Sequence, residues 1–374
     1  MSFTPQEIPT GAVRFNTDSS KMEVYIGSTW MEVAVSRPNL DGGSRGIFAL
    51  HTQTIDFLTI PTQGNSQDFG DLSSGRNNAV AVSSRTRACF GAGYVPSPAT
   101  STNIIDFVTI AQTGNAQDFG DLTYLNYVPA GLSNQTRGIF AGGFNLPAGG
   151  QQNHISLITI ASTGNGTDFG DLITSGNSPD GTSSPTRGVI AGGQTPSKLS
   201  RIEFITIAST GNAQEFGDLT EAKAGVGGLS SATRGIFAGG YTPTVKKRIE
   251  KIEIATKGNA TNFGDLTTVR RYCGGMSDCV RGVVAAGHNP SATNNIDFFN
   301  ISTSGDGFDF GDTIASGISP AGVSDCIRGV WAGGGTGKMI QYVNIATQGD
   351  TVDFGDMVTA GGWFDGCSSG HGGL

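Results

Sequence analysis

Apolar residues along this chain come in short runs, such as Ile139-Phe140-Ala141 and Ile155-Ser156-Leu157-Ile158, separated by turns of Gly, Ser, Thr and Asn. None of these runs keeps the 3.6-residue spacing of an amphipathic helix, so the pattern predicts β-strands from end to end. Residues 130 to 172 show the unit. Ala130 to Asn134 form a first strand, a, and a Gln-Thr-Arg-Gly turn leads into the small apolar strand b at Ile139 to Ala141. After Gly142-Gly143 a variable loop runs to strand c at Ile155 to Ile160. A Gly164-Asn165 turn then gives strand d at Asp168-Phe169-Gly170-Asp171-Leu172.

The unit recurs seven times. Its Phe falls at Phe69, Phe119, Phe169, Phe216, Phe263, Phe310 and Phe354, with spacings of 50, 50, 47, 47, 47 and 44 residues. A repeat of that length built from four short strands predicts an all-β, seven-bladed β-propeller with four-stranded blades. The last copy ends in strand-a sequence with no strand b after it, and the first copy, at Ser44-Arg45-Gly46, begins with strand b. Strand a from the C-terminus is therefore expected to complete the first blade. Trp30 to Val35 is the weaker donor, because it lacks the Ser-Ser-x-Thr ending. The domains are read as 1–40, a small β-meander, and 41–374, the propeller.

Two polar residues keep step with the repeat: Arg45, Arg87, Arg137, Arg187, Arg234, Arg281 and Arg328, and Asp71, Asp121, Asp171, Asp218, Asp265, Asp312 and Asp356. A charge pair carried at the period of the fold is read as structural, guanidinium to carboxylate, tying the a–b turn to strand d or to the next blade. The Asp-Phe-Gly triplet is shared with kinases, but seven copies without a glycine-rich loop or His-Arg-Asp partner carry no such chemistry. The acids also lack the Asp-x-Asp-x-Asp spacing of a calcium loop, and Glu215 and Asn262 replace the first of them.

In a four-stranded meander the a–b and c–d turns share one end, and the b–c and d–a connections share the other. The first end barely varies between copies and the second varies strongly, so the second is the candidate recognition surface. Its aromatics, Tyr94, Tyr124, Tyr127, Phe144, Tyr241 and Tyr272, are expected to be exposed for glycan or protein contacts.

Composition narrows the function. Fifty-eight glycines sit at fixed offsets in the repeat, and a net charge of −8 with no basic cluster argues against a nucleic-acid partner. No apolar stretch is long enough for membrane insertion, and no basic-then-apolar start marks a secretion signal. Five cysteines, among them Cys279 and Cys326 at one repeat position, lack Cys-x-x-Cys spacing, so neither a disulfide framework nor a metal site is implied. The four histidines, His51, His154, His288 and His371, occupy non-equivalent positions, and no catalytic constellation or cofactor signature is seen. The chain is read as not an enzyme.

Residues 11 to 35 read as three short strands, too few to fold alone. They are expected to pack on a partner or on copies of themselves.

The phrase Thr233-Arg234-Gly235-Ile236-Phe237-Ala238-Gly239-Gly240, together with Ile202-x-Phe204-Ile-Thr-Ile-Ala-Ser-Thr-Gly-Asn-Ala213 and Phe-Gly-Asp-Leu, resembles the repeats of virion structural proteins of marine cyanophages and related tailed phages. The resemblance covers residues 44 to 374. The strand layout is also similar to kelch propellers, where Gly-Gly ends strand b, with Phe here in place of the usual strand-d Trp. Gly11-Ala-Val-Arg-Phe-Asn-Thr-Asp-Ser-Ser-Lys-Met-Glu-Val-Tyr-x-Gly-Ser-Thr-Trp30 resembles a short module of phage fibre and appendage proteins.

These resemblances imply a virion location after synthesis in the host cytoplasm. They imply anchoring to other virion proteins through Phe15, Tyr25 and Trp30, with a homo-oligomer such as a trimer among the arrangements. The propeller would be displayed toward a host-surface glycan or protein. A capsid decoration or tail-structural part without a receptor is the alternative, and a glycan-active enzyme the reading least supported.

Overall fold

The computed structural model describes residues 9–16, 21–26, 28–32, 44–50, 53–146, 148–278, 280–334, 337–360 and 365–368. They are all-β, and no helix among them is long and apolar enough to cross a membrane. Cys279, His51 and His371 lie outside the described residues, as do residues 33 to 35 of the alternative closing strand. The chain divides into two units, residues 1–40 and 41–374.

The first unit is a three-stranded antiparallel sheet, β1 (Val13–Asn16), β2 (Lys21–Ile26) and β3 (Thr29–Glu32), in that order. Register pairs Val13 with Val24, Phe15 with Met22 and Val24 with Met31.

In the second unit the described residues form antiparallel sheets with one shared order, a-b-c-d. In the third of them these strands are Ala130–Ser133, Arg137–Ala141, His154–Thr159 and Thr167–Asp171. Seven such four-stranded sets are present, the second with an added short strand at Tyr94–Pro96. After its leading Arg, strand b is buried throughout in each, as expected for a run of small and apolar residues, with Cys89 in the second and Trp331 in the seventh, covered on both faces.

Strand a of the first sheet comes from the far end of the chain. Asp365–Ser368 pairs antiparallel with Arg45–Ala49, matching Cys367 to Ile47. The a strands approach one another in chain order, and Asp365–Ser368 lies between Ala321–Ser324 and Val80–Ser83.

The apolar core sits between consecutive sheets. Leu132, Ile139 and Leu157 of the third sheet pack with Ile190, Ile205 and Ala213 of the fourth, and Phe48 and Leu58 of the first with Val323 and Val330 of the seventh. Each sheet thus buries its second face only because a neighbour is present.

Candidate functional site

Among the described residues the repeated arginines and aspartates form no ion pair with each other. Each arginine donates from Nη1 to the carbonyl of the Ile that ends strand c in the next sheet, at 2.6 to 3.1 Å: Arg45 to Ile110, Arg87 to Ile160, and so on round to Arg328 and Ile60. In five of the seven the guanidinium also lies over an aromatic of its own strand c, as Arg87 does over Phe107 at 4.5 Å and Arg328 over Tyr342 at 4.9 Å; strand c beside Arg137 and Arg234 carries no aromatic.

The aspartate works mainly through its backbone. Its N–H donates to the Oδ1 of an Asn or Asp in the next sheet's c–d turn at 2.9 to 3.1 Å, from Asp71 with Asn115 to Asp356 with Asn65. Its carbonyl, and that of the motif Phe, accept further N–H groups of the same turn, as when Gly164 donates to Phe119 and Gly166 to Asp121, both at 2.7 Å. The expected guanidinium–carboxylate tie is corrected accordingly. The acceptor the arginine meets is the backbone carbonyl just past strand c, and the carboxylates are exposed or half-buried. Asp171 meets His154 Nδ1 at 3.1 Å and Asp265 meets Lys247 at 3.3 Å. The motif Gly is required by this contact: at Gly120, with φ of +135°, a Cβ would come within 2.6 Å of the Gly164 backbone.

Three buried ion pairs were not foreseen. Arg76 with Asp106, Lys223 with Glu250, and Arg270 with Asp297 join a d–a connection to strand c of the next sheet, with both side chains fully buried. The cations all stand five residues after the repeated aspartate. Where the cation is missing the acid changes or is bonded otherwise. Asn126 stands with Ser156; Glu203 accepts the Ile173 and Thr174 N–H groups; Asp56 accepts Ser66 Oγ at 2.6 Å. Burial pushes the Asp56, Glu203 and Asp297 carboxyls up. The covariation of the two offsets was the signal available in the sequence.

The a strands line an open cavity of about 260 Å³. Their last residues are all serine, from Ser83 and Ser133 to Ser368, and Ser277 Oγ donates to Ser230 O at 2.7 Å while Ser368 Oγ donates to Ser324 O at 2.8 Å. At the first position, toward the variable connections, the sheets carry Val80, Ala130, Gly227, Gly274 and Ala321, but the fourth and first carry Asp180 and Asp365.

Both carboxylates bridge adjacent sheets. Asp180 accepts the Gly181 and Gly228 N–H groups at 2.8 Å; Asp365 accepts those of Gly366 at 2.8 Å and Ala81 at 3.0 Å. Burial raises both, and Asp180, further raised by the charge of Asp365, reaches about 6. A carboxyl that holds its proton longer when folded makes stability fall as pH rises from about 4 to about 6. Asp180→Ala, the residue of the third and seventh sheets, is expected to flatten that fall by about 2 kcal/mol in denaturant titrations across the window. An unchanged slope would show that Asp180 titrates normally.

The six aromatics expected to be exposed are each half-buried. Short ribbons in the b–c connections press them together. Tyr127 packs tilted against Tyr94 at 5.9 Å and edge-on against Phe144 at 5.6 Å, and Tyr124 packs on His154 at 4.9 Å while its hydroxyl donates to the His154 carbonyl at 2.7 Å. Tyr241 takes Lys198 at 4.9 Å and Arg271 at 4.7 Å, and Arg271 also lies over Tyr272 at 5.1 Å. The structure thus gathers Tyr94, Tyr127 and Phe144 into an aromatic group and Tyr241 and Tyr272 into an aromatic–cation group, and sets Tyr124 apart with His154.

Two further departures lie at the opposite end. Val280 and Ile327, exposed by 61 % and 63 %, replace the Thr that precedes the repeat arginine in the second to fifth sheets, and Phe308 and Val352 replace Gln or Thr at the start of strand d. In the N-terminal sheet Phe15 is exposed, while Tyr25 and Trp30 pack together at 5.2 Å on the other face. No protein-family model matches the chain, and no curated protein matches it in sequence.

Proposed function

We propose that residues 41–374 form a seven-bladed, kelch-like β-propeller, and that the chain is a non-enzymatic structural component of a tailed-phage virion. In this reading residues 1–40 anchor it to other virion proteins and the propeller presents its variable end to a host-surface glycan or protein. The observation that carries the reading is the division of labour between the two ends. The chemistry that repeats is spent on sheet-to-sheet bonds at the a–b and c–d end, where the arginine bonds run from each sheet to the next and from the seventh back to the first. Most of the residues that differ between repeats lie at the b–c and d–a end, where Tyr94, Tyr127, Phe144, Lys198, Tyr241 and Arg271 supply half-buried aromatic rings and cations of the kinds that make sugar or peptide contacts.

Cryo-electron microscopy of the particle tests this. The expected result is a seven-fold ring at the particle surface with residues 1–40 against the tail or capsid. Its absence from the particle sinks the reading. With the ring located, particles carrying Tyr127→Ala together with Arg271→Ala are expected to adsorb to host cells at least about tenfold more slowly. Unchanged adsorption would assign the chain to decoration or tail structure without a receptor.

A further inference from the structure

Charge is unevenly spread along the large unit. Between residues 88 and 186 there is one cation, Arg137, against six acids, whereas residues 198 to 271 carry eleven cations against seven acids in a chain of net charge −8. The basic cluster not expected from the sequence is therefore present, in the fourth and fifth sheets. Part of it is already paired: Lys223 and Arg270 sit in buried ion pairs, Lys246 meets Glu221 at 3.0 Å, and Lys247 meets Asp265 at 3.3 Å. Lys198 and Arg271 are not. Lys198 Nζ lies 4.9 Å and the Arg271 guanidinium 4.7 Å from the centroid of one ring, that of Tyr241, and neither has an acid partner among the described residues. Set about a single ring, the two charges lie within a Debye length of each other, ~10 Å at 0.1 M salt. Arg271 also covers Tyr272 at 5.1 Å, and its Nε has no hydrogen-bond partner. Three connections build the group: Lys198 stands in the short strand Ser197–Lys198, Tyr241 in Tyr241–Thr242, and Arg271 in the d–a connection after the fifth sheet.

We propose that Lys198, Tyr241, Arg271 and Tyr272 bind an acidic saccharide, a pyranose ring carrying a carboxylate or a sulfate. Two like charges held about one ring repel each other, and an oxyanion set against both relieves that repulsion. The planar Arg271 guanidinium matches the two oxygens of a carboxylate or sulfate with parallel N–H donors, and Lys198 adds a point charge. Beside these cations the tyrosine rings offer apolar surface to the C–H groups of a sugar, and their hydroxyls offer hydrogen bonds. All four residues keep some exposure. A nucleic acid fits this group less well, because each strand presents a phosphate every ~3.4 Å and the neighbouring Lys246 and Lys247 already face acids. The proposal rests on the reading of the b–c and d–a end as the ligand-facing one, and not on the chain being part of a virion.

Affinity electrophoresis of the full chain tests it, in native gels containing polygalacturonate, its methyl ester, dextran sulfate or dextran. An acidic polymer is expected to retard the protein at concentrations at least about tenfold lower than its neutral counterpart. Retardation by polygalacturonate alone assigns a carboxylate sugar, and by dextran sulfate alone a sulfated one. Lys198→Gln with Arg271→Gln is expected to weaken retardation at least about tenfold, and Lys198→Gln by itself to weaken it in part. Arg85→Gln with Lys257→Gln removes the same two charges at the a–b and c–d end and is expected to leave retardation as it was. Acidic and neutral polymers that retard alike, or an opposite-end variant that loses as much as Lys198→Gln with Arg271→Gln, would overturn the proposal. So would an oligothymidylate that displaces the acidic polymer at equal charge, which would make nucleic acid the partner. These readouts use the purified chain, so a particle found to lack it would leave them standing.

Discussion

Arg270→Asn alone is expected to destabilise the large unit by about 3 to 5 kcal/mol, the cost of leaving a buried charge without its partner. Arg270 has no solvent exposure and donates to Asn295 O at 2.8 Å, to Val284 O at 3.2 Å and to the carboxylate of Asp297. Asp297 is equally buried and keeps only Thr267 when the guanidinium goes. The chain contains its own control: the equivalent positions of the third sheet are Asn126 and Ser156, both fully buried, with Asn126 donating to Gly142 O at 2.6 Å.

Arg270→Asn with Asp297→Ser should therefore recover much of the loss, since the second change removes the stranded charge. Thermal melts of the two variants decide it. The single change is expected to lower Tm by roughly 10 °C and the double by less than half of that. A double variant as unstable as the single would mean that the guanidinium's carbonyl contacts, not the charge pairing, hold this seam.

The ion pairs also mark where sequence reading stopped. Period and turn chemistry were enough to place strands a to d and to join Asp365–Ser368 to Arg45–Ala49, because those follow from apolar spacing and from which strand lacks a copy. Partners were not legible. Arg87 could be seen to serve every sheet, but its acceptor is the Ile160 carbonyl, and a backbone acceptor leaves no trace in side-chain identity. Arg76, Lys223 and Arg270 stood in connections read as variable surface, yet they are fully buried, because the connection dives against strand c of the next sheet. Exposure of Tyr94, Tyr127 and Phe144 was overestimated for the converse reason. Loops that look independent in sequence are brought side by side, and their rings bury one another.

Ending the chain after Thr359 is expected to have the larger effect of the two changes argued here. The truncation removes Asp365–Ser368 and strips the antiparallel partner from Arg45–Ala49, whose Ile47 and Phe48 are fully buried and whose Ala49 is 3 % exposed. It also removes two contacts to neighbouring sheets, the Asp365 carboxylate on the Ala81 N–H and Ser368 Oγ on Ser324 O. Uncovering two large apolar side chains and a row of backbone groups costs on the order of 5 kcal/mol or more, and the bared strand is an open edge that invites aggregation. In an array whose sheets are stable only against their neighbours, the loss spreads to the first, second and seventh sheets at once. The truncated chain is therefore expected either to melt more than about 10 °C below the full chain or to aggregate on expression. A chain ending after Ser369, which keeps the strand, should melt with the full-length protein. Equal melting of all three would show that the two ends of the large unit are held together by the arginine and aspartate bonds alone.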